Sequence, residues 1–171
     1  VSLHHDGKVA DIINDEDGPF APERAGSLPL FQVIDMMCSG NYDHKSAMKL
    51  VKSQGGLVAH LGTNDTRDVQ RMIDEGDEHA KFIYEAMAMN VARNIAKEAP
   101  VVNGKVEAIV LTGGIAYSEL FTSMVKERVE FIAPVVIYPG ENEMESLALG
   151  GLRVLRGEEK AKTFVKVVKE Q

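Results

Sequence analysis

The chain has 171 residues, 26 acidic against 19 basic, for a formal net charge of -7, so it carries no basic footprint for nucleic acid or for an anionic membrane surface. With 44% hydrophobic and 26% charged residues it is a globular chain of one-domain size, too rich in apolar residues to be disordered. No apolar run approaches the ~20 residues that span a bilayer. The first residues lack the basic-then-apolar plan of a signal peptide, and the single cysteine, Cys38, excludes an internal disulfide. A cytoplasmic, reducing location is expected.

Residues 1–14 read as two strands joined at Asp6-Gly7, a dipeptide that tolerates the positive φ of a tight hairpin. Residues 14–24 are acidic and then Pro-punctuated, which favours an ordered loop. Helices are expected over Ser27 to Cys38 and His44 to Lys52, the second stopped by Gly55-Gly56. Leu57 to Leu61 is a short apolar segment. Thr63-Asn64-Asp65-Thr66 then offers caps for a helix through Val69, Met72 and Ile73. From Asp77 to Glu98 the four-residue spacing of Ile83, Met87, Val91 and Ile95 predicts a core helix, closed by Pro100. The pattern then alternates. A strand at Val106 to Leu111, a Thr112-Gly113-Gly114 turn, a helix over Ala116 to Glu130, a strand over Pro134 to Tyr138 and a helix over Glu141 to Arg156 make a parallel βαβα unit. Residues 157–171 read either as a frayed tail or as a last helix.

Four places carry residues suited to chemistry. A Gly pair between a strand and a helix lets backbone approach a ligand, and the N–H groups of the helix attract oxygens; it is also an ordinary tight turn. The polar run Thr63 to Arg67 is either a plain helix cap or a binding edge. Arg24 sits in the stiff loop Pro22-Glu23-Arg24-Ala25-Gly26. It offers a planar fork of donors to phosphate or carboxylate oxygens, or else pairs structurally with Glu23 or Asp17. Glu141, Glu143 and Glu145 lie on a strand-to-helix turn, where the helix macrodipole alone favours acids and where a carboxylate also suits Mg²⁺ on a nucleotide.

The strings GPFAPERAGSLP (18–29), GGLVAHLGTNDTRDV (55–69), AIVLTGGIAYSE (108–119) and FIAPVVIYPGENEMESLALGGLRVLRGEE (131–159) together resemble the butyrate kinases, within the acetate kinase group of the actin, hexokinase and chaperone ATPase superfamily. The resemblance implies a kinase of two ribonuclease H-like α/β domains, each with a mixed sheet, that moves the γ-phosphoryl group between ATP and a short-chain carboxylate with Mg²⁺. It implies that this chain is the C-terminal nucleotide-binding domain, with an N-terminal domain and a first, central strand lying outside it, so that the 171 residues alone are expected to be inactive. By the same resemblance Arg24 stabilises the transferring phosphoryl group. Asn64, Asp65 and Arg67 line the adenosine pocket, and Gly113, Gly114, Ala116 and Tyr117 pack on the nucleoside. Glu143 organises Mg²⁺, with Glu145 as the alternative register. Gly-Gly-Ile-Ala-Tyr-Ser departs here from the acetate kinase pattern, which has a second Gly and an Asn. The family also implies a homo-oligomer, and an acetate or branched-chain carboxylate kinase, or a non-catalytic nucleotide-binding module of the same fold, are the competing readings.

Overall fold

The computed structural model describes residues 1–141 and 143–163, which fall into two units, Val1–Pro139 and Gly140–Gln171. The first unit opens with an antiparallel hairpin, β1 (Ser2–His5) and β2 (Lys8–Ile12). Asp6 and Gly7 have φ of 49° and 70°, the consecutive left-handed pair that a tight hairpin turn requires. At its open end Val1 and Ile13 exchange hydrogen bonds of 3.0 and 2.9 Å between their main-chain groups.

Five helices follow. α1 (Leu30–Cys38) begins three residues later than its sequence pattern suggests, because Pro29 biases Leu28 away from the α region. α2 (His44–Lys52) starts on a capping box between Asp43 and Ser46, whose hydrogen bonds hold the Asp43 carboxyl below its ordinary pKa. The segment expected only to be apolar is a six-residue helix, α3 (Gly56–Leu61), ended by Gly62 in the left-handed conformation. α4 (Thr66–Asp74) is capped by Asp65 and α5 (Glu78–Glu98) by Asp77.

α5 is the core helix. Its Ile83, Tyr84, Met87 and Ala88 are buried against Leu57 of α3, Val69 of α4 and Phe121, Val125 and Val129 of α6 (Glu119–Val129). Each Val, Leu, Ile, Phe or Met side chain among them contributes roughly 1.5–3 kcal/mol when fully buried. The Tyr84 and Phe121 rings meet at 5.1 Å between centroids, tilted by 45°. α6 connects β3 (Ile109–Gly113) to β4 (Val135–Pro139), which pair in parallel from Ile109–Val135 to Gly113–Pro139. β3 starts and ends later than its apolar run, since Thr112 and Gly113 find ladder partners in Tyr138 and Pro139. A short 3₁₀ turn over Gly114–Tyr117 then delays α6 to Glu119.

The hairpin and the parallel pair are two separate two-stranded sheets among the described residues; the mixed sheet that the resemblance implies would join them through the central strand expected to lie outside these residues. Between them lies a cavity of about 490 Å³ bounded by β1, β3 and the apolar face of α5 at Met87, Val91 and Ile95. Glu98 reaches its wall only 5% exposed. Neither of its carboxyl oxygens has a hydrogen-bond partner among the described residues. Burial, with the charge of Asp11 adding to it, pushes this carboxyl above its ordinary pKa.

The second unit holds α7 (Glu143–Leu155), which ends before Gly157, at φ 74°. Arg153 donates to Glu159 at 3.3 Å. Residues 158–163 form no helix; the rest of the tail, for which a frayed end or a last helix is expected, lies outside the described residues. No described helix is long and apolar enough to cross a membrane.

Candidate functional site

Arg24 is placed by main chain. The Ala21 N–H donates to the Arg24 carbonyl at 3.0 Å, closing a turn around Pro22-Glu23. That turn sits on the start of α3, where the N–H groups of Gly55, Leu57 and Val58 donate to the carbonyls of Glu23, Ala21 and Pro22 at 3.1, 3.3 and 2.9 Å. Amides at a helix start have no partner within the helix, and here the arginine loop supplies their acceptors. The approach needs glycine: a Cβ on Gly56, at φ 56°, would lie 1.7 Å from the Ala21 carbonyl oxygen, and one on Gly55 would lie 2.5 Å from the Ala25 nitrogen. Gly55-Gly56, which reads in sequence as a helix stop, is the seat of the arginine loop.

The Arg24 side chain donates from Nη1 to Asp15 Oδ2 at 2.6 Å, so its partner is Asp15 rather than Glu23 or Asp17. Glu23 accepts instead from Asn64 Nδ2 at 3.4 Å. The loop thereby touches the segment that leads into α4.

Where α4 and α6 begin, Asp65, Arg67, Gln70, Gly114, Tyr117 and Glu119 line a depression of about 770 Å³. Asp65 caps α4 by accepting from the Arg67 N–H at 2.9 Å, and Ser118 caps α6 by accepting from the Phe121 N–H at 3.2 Å. Beneath them the buried Tyr84 hydroxyl donates to Ser118 Oγ at 3.3 Å, fixing one helix start to α5. The Arg67 guanidinium folds back on Asp65 in a bidentate pair, with Nε to Oδ1 at 2.9 Å. Hydrogen bonds from Arg67 lower the Asp65 pKa to about 2. Asp65 is therefore ionised, and the pair intact, throughout the neutral range.

This arrangement decides what fits. Asp65 offsets the charge of Arg67 and Glu119 adds a further negative charge, so the depression suits an uncharged, hydroxyl-bearing group better than a polyanion. Tyr117, 71% exposed, offers a ring face on which a flat heterocycle stacks.

The other sequence candidates lie elsewhere. Asn64 is turned to Glu23, Gly113 ends β3 at φ 86°, and Ala116 is buried facing the cavity between the sheets. Glu143 and Glu145 are exposed in the first turn of α7 in the second unit. No group of three or more His, Cys, Asp and Glu stands ready for a metal among the described residues. Gln70, one turn into α4, and Glu119 and Leu120, the first residues of α6, line the depression without a sequence signal, being ordinary helix residues.

The fold resembles that of solved acetate and propionate kinases. It is similar to acetate kinase from Porphyromonas gingivalis (TM-score 0.72, 17% identity, 81% of this chain and 41% of that chain). It is also similar to a propionate kinase from Francisella tularensis subsp. tularensis SCHU S4 (TM-score 0.64, 20% identity, 75% and 39%). Acetate kinase from Entamoeba histolytica matches likewise (TM-score 0.69, 14% identity, 80% and 43%). Residues 23–169 match the model of the Acetokinase family, and the chain belongs to that family. It spans about two fifths of the length of these solved structures.

Proposed function

We propose that these residues form the C-terminal nucleotide-binding domain of a two-domain kinase that transfers the γ-phosphoryl group of ATP to a short-chain carboxylate, with butyrate as acceptor. A carboxylate oxygen attacks the γ-phosphorus, the bond to the leaving ADP oxygen breaks, and an acyl phosphate and ADP result; the reaction is reversible. The observation that carries the reading is α3, whose start seats the Arg24 loop and whose end leads through Gly62 to the depression at Asp65. One short element joins a charged fork to a nucleoside-sized depression in a member of the Acetokinase family.

In this reading Asp65 and Arg67 with Gly114 and Tyr117 hold the nucleoside, with Asn64, Gly113 and Ala116 supporting them. Arg24 donates to phosphoryl oxygens. Phosphoryl transfer asks a protein for placement and charge stabilisation more than for covalent chemistry. Mg²⁺ on the phosphate oxygens supplies further charge neutralisation when bound. The resemblance assigns Glu143, exposed in the first turn of α7, as the carboxylate that would organise it, and a carboxylate oxygen suits a cation that keeps several waters and phosphate oxygens of its own. Glu143→Gln is expected to raise the Mg²⁺ concentration needed for half-maximal rate, read by titration; the same defect in Glu145→Gln instead would move the role by two residues. The kinase acts in the cytoplasm as a homo-oligomer.

Acetate is the competing acceptor, favoured by the acetate and propionate kinases among the similar structures. Trapping acyl phosphate with hydroxylamine, in the complete kinase supplied with ATP, Mg²⁺ and acetate, propionate or butyrate, tests both. The highest kcat/KM is expected for butyrate, with kcat on the order of 1–100 s⁻¹. A preference for acetate reverses the order, and no acyl phosphate from any acid makes the fold a binding module.

A further inference from the structure

We propose that Asp15 is a positioning residue for Arg24, holding one end of the guanidinium so that its remaining donors face the phosphoryl group. The inference rests on the role proposed for Arg24 above. Its basis is the 2.6 Å bond from Arg24 Nη1 to Asp15 Oδ2, made between side chains that are 47% and 46% exposed.

An arginine this exposed samples many rotamers, and each of them costs a phosphoryl ligand the entropy of selecting the right one. A charge-assisted bond at Nη1 removes much of that freedom. It occupies one corner of a five-donor fork and leaves Nε and Nη2 for a ligand.

Both ends of the pair are themselves anchored. Asn14 Oδ1 accepts from the N–H groups of Glu16 and Asp17 at 2.8 and 3.1 Å, an Asx turn that fixes the chain around Asp15. Just before it, Ile13 is bonded to Val1. On the other side the Arg24 carbonyl is held by Ala21, and the Ala25 N–H donates to Val51 at 2.9 Å. Glu16, Asp17 and Glu23 are further exposed acids on the same two stretches, yet Asp15 is the one that pairs with Arg24 among the described residues. An exposed ion pair adds little to stability, so a large effect of removing Asp15 on rate, without one on melting, separates positioning from structural support.

The test compares Asp15→Ala, Asp15→Glu, Arg24→Ala and the double variant Asp15→Ala/Arg24→Ala in the complete kinase, by steady-state kinetics and melting temperature. Asp15→Ala is expected to lower kcat about 10- to 100-fold, the scale of a misplaced catalytic group, with KM for ATP within about twofold and Tm unchanged. Asp15→Glu is expected to recover much of the rate. The double variant is expected to be no slower than Arg24→Ala, because Asp15 acts through the arginine. Wild-type turnover in Asp15→Ala beside a crippled Arg24→Ala overturns the positioning role and leaves the arginine's role standing. Single effects that multiply in the double variant overturn it as well. Wild-type turnover in Arg24→Ala removes the reading underneath, and this inference with it.

Discussion

Arg24→Ala in the complete kinase is expected to cut turnover by about 10²-fold or more while leaving KM for ATP within a few-fold. Loss of one donor aimed at developing charge costs on that order, and phosphoryl transfer is especially exposed to it because charge on the transferring oxygens is what the protein has to answer. The side chain adds nothing to the core: it is half exposed and bonded only to Asp15 among the described residues. Its loop is held by main-chain groups that alanine leaves in place, so the variant should fold normally and bind nucleotide at the Asp65 depression. Arg24→Lys keeps the charge but loses the planar fork and is expected to fall in between. Turnover near wild type in Arg24→Ala, measured as acyl phosphate per second at saturating substrates, would remove Arg24 from the chemistry.

Gly56→Ala acts on the fold instead. A left-handed conformation costs a residue with a Cβ about 1–2 kcal/mol, and here that Cβ would meet the Ala21 carbonyl oxygen at 1.7 Å. Backbone has to move, and the bonds from Leu57 and Val58 to Ala21 and Pro22 are the ones strained. A buried donor left unpaired costs about 1–3 kcal/mol, which brings the total to roughly 2–5 kcal/mol and a fall in Tm on the order of 10 °C. Gly62→Ala is the control. Gly62 has φ 75° but open space around its Cβ, so only the conformational cost of about 1–2 kcal/mol applies. Denaturant titration of the two variants checks the difference, and equal losses would mean that the seat of the arginine loop is not tight.

The elements that were legible in the sequence are those whose signal is local. Asp6-Gly7 marks its hairpin because the turn's backbone angles demand such residues, and α5 shows its face because 21 residues repeat the helical period many times. α3 is too short to display a period, and its amides are satisfied by a loop more than 30 residues earlier in the chain, a relation no local pattern carries. β3 runs two residues beyond its apolar run for a similar reason: pairing with Tyr138 and Pro139 decides its end. At the site, Asp65, Arg67, Gly114 and Tyr117 of the quoted motifs stand around one depression. Ala116 of the same motif is turned inward by the 3₁₀ turn. The bond from Arg24 to Asp15 crosses a Pro-punctuated loop with four acids to choose from, and charge alone names none of them.

The seat of the Arg24 loop also bears on how far such a chain can drift. Its acceptors are the carbonyls of Ala21, Pro22 and Glu23 and its donors the amides of Gly55, Leu57 and Val58, groups that every residue but proline, on the donor side, possesses. A geometry written in main-chain atoms is indifferent to most side-chain replacements and strict where a Cβ must be absent, at Gly55 and Gly56 and, on the loop side, at Gly18 and Gly26. Substitutions can accumulate at nearly every other position of the loop without moving it. That is one physical route by which a fold stays superimposable on solved structures that share only 14–20% of its residues.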